Sequence, residues 1–119
     1  MTNRRRVDNT TRENFVYFVY DDQGRVLYIG VTRNPDMRWR NHSMVNPGLV
    51  EAASRFKLCG PYLRPVALRI ERAAILAANP LFNLEVDGKH KRPLVNKLNA
   101  EADERERRRV VGRYAGIGA

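Results

Sequence analysis

Apolar and polar residues fall in blocks along this chain, and the blocks predict its elements. Residues 15–20, Phe-Val-Tyr-Phe-Val-Tyr, are apolar or aromatic throughout and suit a central strand. Asp21-Asp22-Gln23-Gly24 reads as a turn in which Gly24 supplies a positive φ, and residues 26–32 form a second strand, completing an antiparallel hairpin. Gly30 interrupts that strand where a backbone or ligand comes close. A helix follows to about Met44, carrying Met37 and Trp39: Asn34 caps it, Pro35 suits its first position and Asp36 its first-turn dipole. Asn46-Pro47-Gly48 breaks it.

Leu49 to Ser54 fits a helical turn or two, and Arg55 to Cys59 a third strand ending before Gly60-Pro61. Pro65 opens a helix over 65–78 with Val66, Ile70, Ala73, Ala74 and Ala77 on one stripe, which Glu71 interrupts. Asn79-Pro80 ends it, residues 81–84 pack back, and Asp87-Gly88 turns. Residues 94–111 read as a last helix. It carries Glu101–Arg105, Asp103–Arg107 and Glu104–Arg108 pairs at i,i+4, with Leu94, Val95 and Leu98 to dock it. The fold class expected is α/β of the α+β type: a small three-stranded antiparallel sheet flanked by helices.

Charge divides the chain into three. The 119 residues carry a net +9. Residues 1–14 hold four basic against two acidic groups, 15–87 nine against seven, and 88–119 nine against four. A folded centre over 15–87 with a flexible basic arm at 1–14 and a basic, partly helical extension at 88–119 is the domain plan this suggests. The excess points to a polyanion, nucleic acid before membrane. Cys59 stands alone, so neither a disulfide framework nor a cysteine metal cluster is expected. No segment reads as a signal peptide or a membrane span, and a cytoplasmic setting is the expectation.

Candidate chemistry gathers around residues 28–42. Arg38 and His42 are four apart and share a helical face beside the strand that carries Tyr28. Alone, each of these groups has an ordinary structural role. The ordered set is more specific: Tyr17, then Tyr28-Ile29-Gly30 eleven residues on, Arg38 ten after that, His42, Glu71 inside a helix, and Asn83 in Pro80-Leu81-Phe82-Asn83. Over residues 15–84 this resembles the GIY-YIG nuclease family. Phe15-Val16-Tyr17 stands where the family has Gly-Ile-Tyr, so its first glycine is replaced. Tyr20 offers a second match, but it lies only eight residues before Tyr28 and faces the other side of the strand from Tyr17.

The resemblance implies metal-dependent hydrolysis of DNA phosphodiesters to 5′-phosphate and 3′-hydroxyl ends, with RNA left open. It casts Tyr17, Tyr28, Arg38, His42, Glu71 and Asn83 as the active residues and Gly30 as structural at the site. Glu71 would hold one Mg²⁺ or Mn²⁺, since such an ion keeps several waters and needs few carboxylates. Arg38 would bind phosphate through its planar fork. Tyr17 would serve as the base by resemblance. His42, with an ordinary pKa of about 6.5 against the tyrosine's ~10, is the choice on chemistry alone, and both stay open.

Arg33, Arg40, Arg55, Lys57 and Arg69 could line a backbone groove, and Lys89, Lys91, Arg92, Arg107, Arg108 and Arg109 could track phosphates. His90 with His42 is too sparse for a zinc site. Two rival readings keep the same fold: a non-catalytic nucleic-acid-binding module, and a nuclease subunit brought to DNA by a partner protein. A double-strand break would call for a homodimer or successive nicks.

Overall fold

A computed structural model describes residues 11–84 and 88–115. The elements run β1 (Asn14–Tyr20), β2 (Val26–Thr32), α1 (Pro35–Val45), α2 (Pro47–Ala52), β3 (Arg55–Tyr62), α3 (Arg64–Ala78) and α4 (Gly88–Ala115). The strands form one antiparallel sheet in the order β2-β1-β3. β1 is central, which is why its sequence is apolar on both faces. Val16 and Ile29 face α3 together with Ala67 and Ile75. Tyr17, Val19 and Tyr28 face the other way, in a cluster with Leu49 of α2, Phe82 and Val95 of α4.

The first hairpin turns as its residues predict. Gly24 has φ +80°, and the Asp21 side chain accepts from the Gln23 and Arg25 backbone N–H groups at 2.9 and 2.8 Å. Tyr17 and Tyr20 fall on opposite faces as expected: Tyr20 stacks on Phe18, on the α3 side, beneath Arg55.

Four features differ from the expectation. β3 runs on through Gly60-Pro61 to Tyr62, because an edge strand loses no ladder bond to a proline. On α3, Ala67 and Ile75 are buried, and of the expected stripe Ile70 and Ala74 pack on the sheet while Ala73 and Ala77 are exposed; Glu71, which interrupts the stripe, is half-buried beside them. α4 begins at Gly88 and docks through Val95, Leu98 and Ala102, while Leu94 points to solvent. Arg105 pairs with Glu51 of α2 rather than with Glu101, and Arg107 with Glu104 rather than with Asp103, while the expected Glu104–Arg108 pair forms and Arg109 reaches Glu106. Tertiary packing brought Glu51 within reach, which no helical spacing encodes. The expectations for residues 1–10, 85–87 and 116–119 lie outside the described residues, as do the side chains of Lys89 and His90.

The outer edge of β2 is sealed by the segment after α3. Asn79 ends that helix in the left-handed conformation, φ 46°. Phe82 N–H then donates to Leu27 O at 3.0 Å. The Asn83 side chain accepts from Ile29 N–H and donates to Ile29 O, both at 2.8 Å, as a neighbouring strand would. Asn83 and Ile29 are both fully buried. Asn83→Ala would strand two buried backbone groups, and a urea melt should show a loss of about 2–4 kcal/mol.

Candidate active site

Helix α1 carries the site, and its composition is odd for a helix on a sheet. Met37, Met44 and Val45 are exposed, and its only buried residue is His42. An ordinary amphipathic helix would bury leucines there. The helix is started firmly instead: Asn34 Oδ1 accepts from Met37 N–H at 3.1 Å, Pro35 opens the first turn, and Thr32 Oγ1 accepts from Asn34 N–H at 3.1 Å.

That face meets the sheet at two tyrosines. Tyr17 pairs with Gly30 across the strands and Val19 with Tyr28, so both phenols project toward α1. A Cβ on Gly30 would lie 2.6 Å from the Tyr17 ring, so only glycine lets that ring lie flat over β2. Tyr17 Oη is 2.8 Å from His42 Nε2. Arg38 Nε donates to Tyr17 Oη at 3.2 Å, and Arg38 Nη2 to Tyr28 Oη at 3.1 Å. The Tyr28 and His42 rings meet edge-to-face at 4.7 Å. One guanidinium thus joins two phenols, and an imidazole backs the first.

The electrostatics follow from burial. Burial raises the Tyr17 pKa well above the usual phenol value, as does Tyr28 beside it, against the smaller lowering by Arg38. Burial, then the Arg38 charge, lowers His42 from 6.5 to about 4. His42 is therefore neutral at pH 7. Arg38 can only donate, so Tyr17 Oη accepts from it, and the tautomer of His42 sets which way the Tyr17–Nε2 hydrogen bond runs: Tyr17 donates when the imidazole proton is on Nδ1 and accepts when it is on Nε2.

Two asparagines missed in the sequence support the imidazole. Asn46 Nδ2 lies 3.4 Å from His42 Nδ1 and donates to it in the Nε2-protonated tautomer, and Asn99 of α4 donates to Asn46 Oδ1 at 3.3 Å while accepting from Gly48 N–H at 2.8 Å. Asn46 had looked like a helix breaker, which it also is. Asn99 carried no signal, because it reaches the site only through the docking of α4.

The other predicted residues are spread out. Asn83 holds β2 at Ile29, between Tyr28 and Gly30. Glu71 lies on the sheet-facing line of α3, half-buried, but α3 packs on the sheet face opposite Tyr17. Arg55 and Lys57 lie over the Tyr20 and Phe18 rings, again on the α3 side. Arg33 pairs with Glu13 at 2.9 Å, and Lys91 donates to Asn79 Oδ1 and Pro80 O. Arg40, Arg69 and Arg92 are exposed.

Residues 13–70, about half of the chain, match the family model of the GIY-YIG catalytic domain. The chain belongs to the GIY-YIG nuclease superfamily. No curated protein matches it. The three-stranded antiparallel sheet with flanking helices is the GIY-YIG fold. Members of this superfamily are endonucleases that act on nucleic acid and generally use a divalent metal. Among the described residues, no three His, Cys, Asp or Glu side chains converge as a metal cage. The half-buried Glu71 carboxylate is a hard oxygen donor, of the kind that holds a divalent cation keeping several of its own waters. Among the described residues no helix is long and apolar enough to cross a membrane.

Proposed function

We propose that this GIY-YIG protein is a divalent-metal-dependent endonuclease that hydrolyses DNA phosphodiesters. The reading is carried by the hydrogen-bonded set of Tyr17, Tyr28, Arg38 and His42 on one face of the sheet. Phosphodiester hydrolysis needs a cation at the phosphoryl oxygens and a route for the proton of the attacking water. Arg38 supplies the first. Its guanidinium is held by two phenols and keeps a donor fork for phosphate. Tyr17 and His42 supply the second as a pair. A buried phenol of raised pKa is a poor base alone, whereas a neutral imidazole carrying its proton on Nδ1, the tautomer that releases the Asn46 contact, can draw off the phenol's proton at Nε2 as the phenol oxygen takes water's. Burial is the larger cause of the low His42 pKa and the Arg38 charge the smaller; a phosphate on Arg38 would offset that smaller part and make His42 somewhat more basic when substrate is bound. This pairing answers the choice between Tyr17 and His42 with both.

Glu71 is the residue that would hold Mg²⁺ or Mn²⁺, and such an ion supplies charge neutralisation and a more acidic bound water. A second reading, a non-catalytic binding module, is favoured by one observation: the helix of Glu71 packs on the other face from Arg38. Incubation with supercoiled, branched and single-stranded DNA separates the two. The nuclease reading expects cutting with Mg²⁺ or Mn²⁺, none in EDTA, and a Glu71→Gln variant that binds but does not cut. Binding without cutting under every metal condition would establish the module instead.

A further inference from the structure

An apolar groove adjoins the Tyr17 cluster, and no step above uses it. It has a volume of about 200 Å³ and is lined by Tyr17, Pro35, Asp36, Trp39, Phe56 and Leu58. Phe56 registers with Val19 and Leu58 with Tyr17 across β1 and β3, so both share the Tyr17 face. They are 49% and 52% exposed, large apolar groups left open beside the site. The Trp39 and Phe56 rings meet edge-to-face at 4.4 Å, which gives the groove a rigid aromatic corner.

We infer that this groove seats an unpaired nucleobase next to the scissile phosphate, so that the preferred substrates carry an unstacked base beside the cut. The inference rests on the nuclease reading above. Its strongest support is continuity: the Tyr17 ring walls the groove while its hydroxyl bonds Arg38 and His42. A phosphate on Arg38 brings the base of its own nucleotide within one sugar's length. Size agrees, because the groove falls below the roughly 300–1,000 Å³ of drug-sized sites and suits one planar ring system. So does chemistry. The walls are aromatic, and every base has a π-face to stack on them. The one charged group at the rim, Asp36, repels phosphate and accepts from an exocyclic amine, as carboxylates do from cytosine. A base stacked in intact duplex has no free face to offer. A net charge of +9 favours nucleic acid over a protein segment as the occupant.

Trp39 is the only tryptophan of the chain, and its fluorescence reports on the groove directly. The full chain is titrated in EDTA with three short duplexes: intact, with one bulged adenine, and with an abasic residue at the bulge. The bulged adenine should bind about tenfold more tightly than intact duplex and quench Trp39, whereas the abasic bulge should fall within about twofold of intact duplex. Phe56→Ala and Leu58→Ser should bring the ratio close to one, while Leu76→Ser, an exposed leucine on α3, keeps it. Equal binding of adenine and abasic bulges, or a Trp39 signal indifferent to the base, overturns the inference. If the three bind alike and plasmid is still cut with Mg²⁺, the groove assignment falls alone. If none binds at low salt, the nuclease reading falls with it. If Phe56→Ala turns a dimer into a monomer in sedimentation, the occupant is a second copy, and the inference is overturned.

Discussion

Arg38→Ala lowers the single-turnover cleavage rate by about 10²–10³-fold, the usual cost of removing one donor aimed at developing charge. Duplex affinity should fall by less than about threefold, because many backbone cations share the ground-state term. Arg38→Lys recovers little. A lysine is a point charge and cannot bridge the Tyr17 and Tyr28 hydroxyls at 3.2 and 3.1 Å while also facing phosphate. A readout independent of turnover comes from His42. Burial is the main reason its pKa sits at about 4, and the Arg38 charge is the second. In Arg38→Ala the imidazole should therefore titrate part of the way back toward 6.5, followed by the proton resonances of the ring. A large loss of binding with unchanged turnover would make Arg38 a docking residue only.

Tyr17→Phe and His42→Ala should each reduce cleavage by about 10²–10⁴-fold, and the double variant should be no slower than the slower single one. Groups that pass one proton between them act as a unit, and removing either breaks the route. Independent roles would multiply the losses, which would end the pairing of phenol and imidazole. The same buried histidine makes a pH prediction for the fold. The unfolded chain takes up a proton as pH falls through about 6.5, but the folded His42 resists until about 4. Stability is therefore full above pH 6.5 and declines between 6.5 and 4, by up to about 3 kcal/mol at 1.36 kcal/mol per pKa unit. His42→Gln should flatten that part of the curve in urea melts taken at several pH values.

The fold was legible where local chemistry dominates. The apolar run at 15–20, the Asp21–Gly24 turn and the Asn34-Pro35-Asp36 helix start act over a few residues, and the structure has the hairpin and α1 where they predict. The face of α3 was legible in part. Ile70 and Ala74 of the expected stripe pack on the sheet, but the helix is rotated so that Ala67 and Ile75 are buried and Ala73 and Ala77 exposed, a rotation that only the sheet it packs on decides. β3 was cut short because proline argues against a strand only where both edges are paired, and edge position is a tertiary fact.

By itself the sequence determined which side chains this protein has for chemistry and their order along the chain: two tyrosines eleven apart, an arginine and a histidine one helical turn apart, a helical glutamate and a late asparagine. Only the tertiary structure decided who touches whom. Burial made the phenol reluctant and the imidazole neutral, packing gave α4 a part in holding Asn46 through Asn99, and register placed Phe56 and Leu58 beside Tyr17. The reason is that desolvation and contact depend on what lies around a group in space, and neighbours as distant in sequence as Asn46 and Asn99 leave no trace in local spacing.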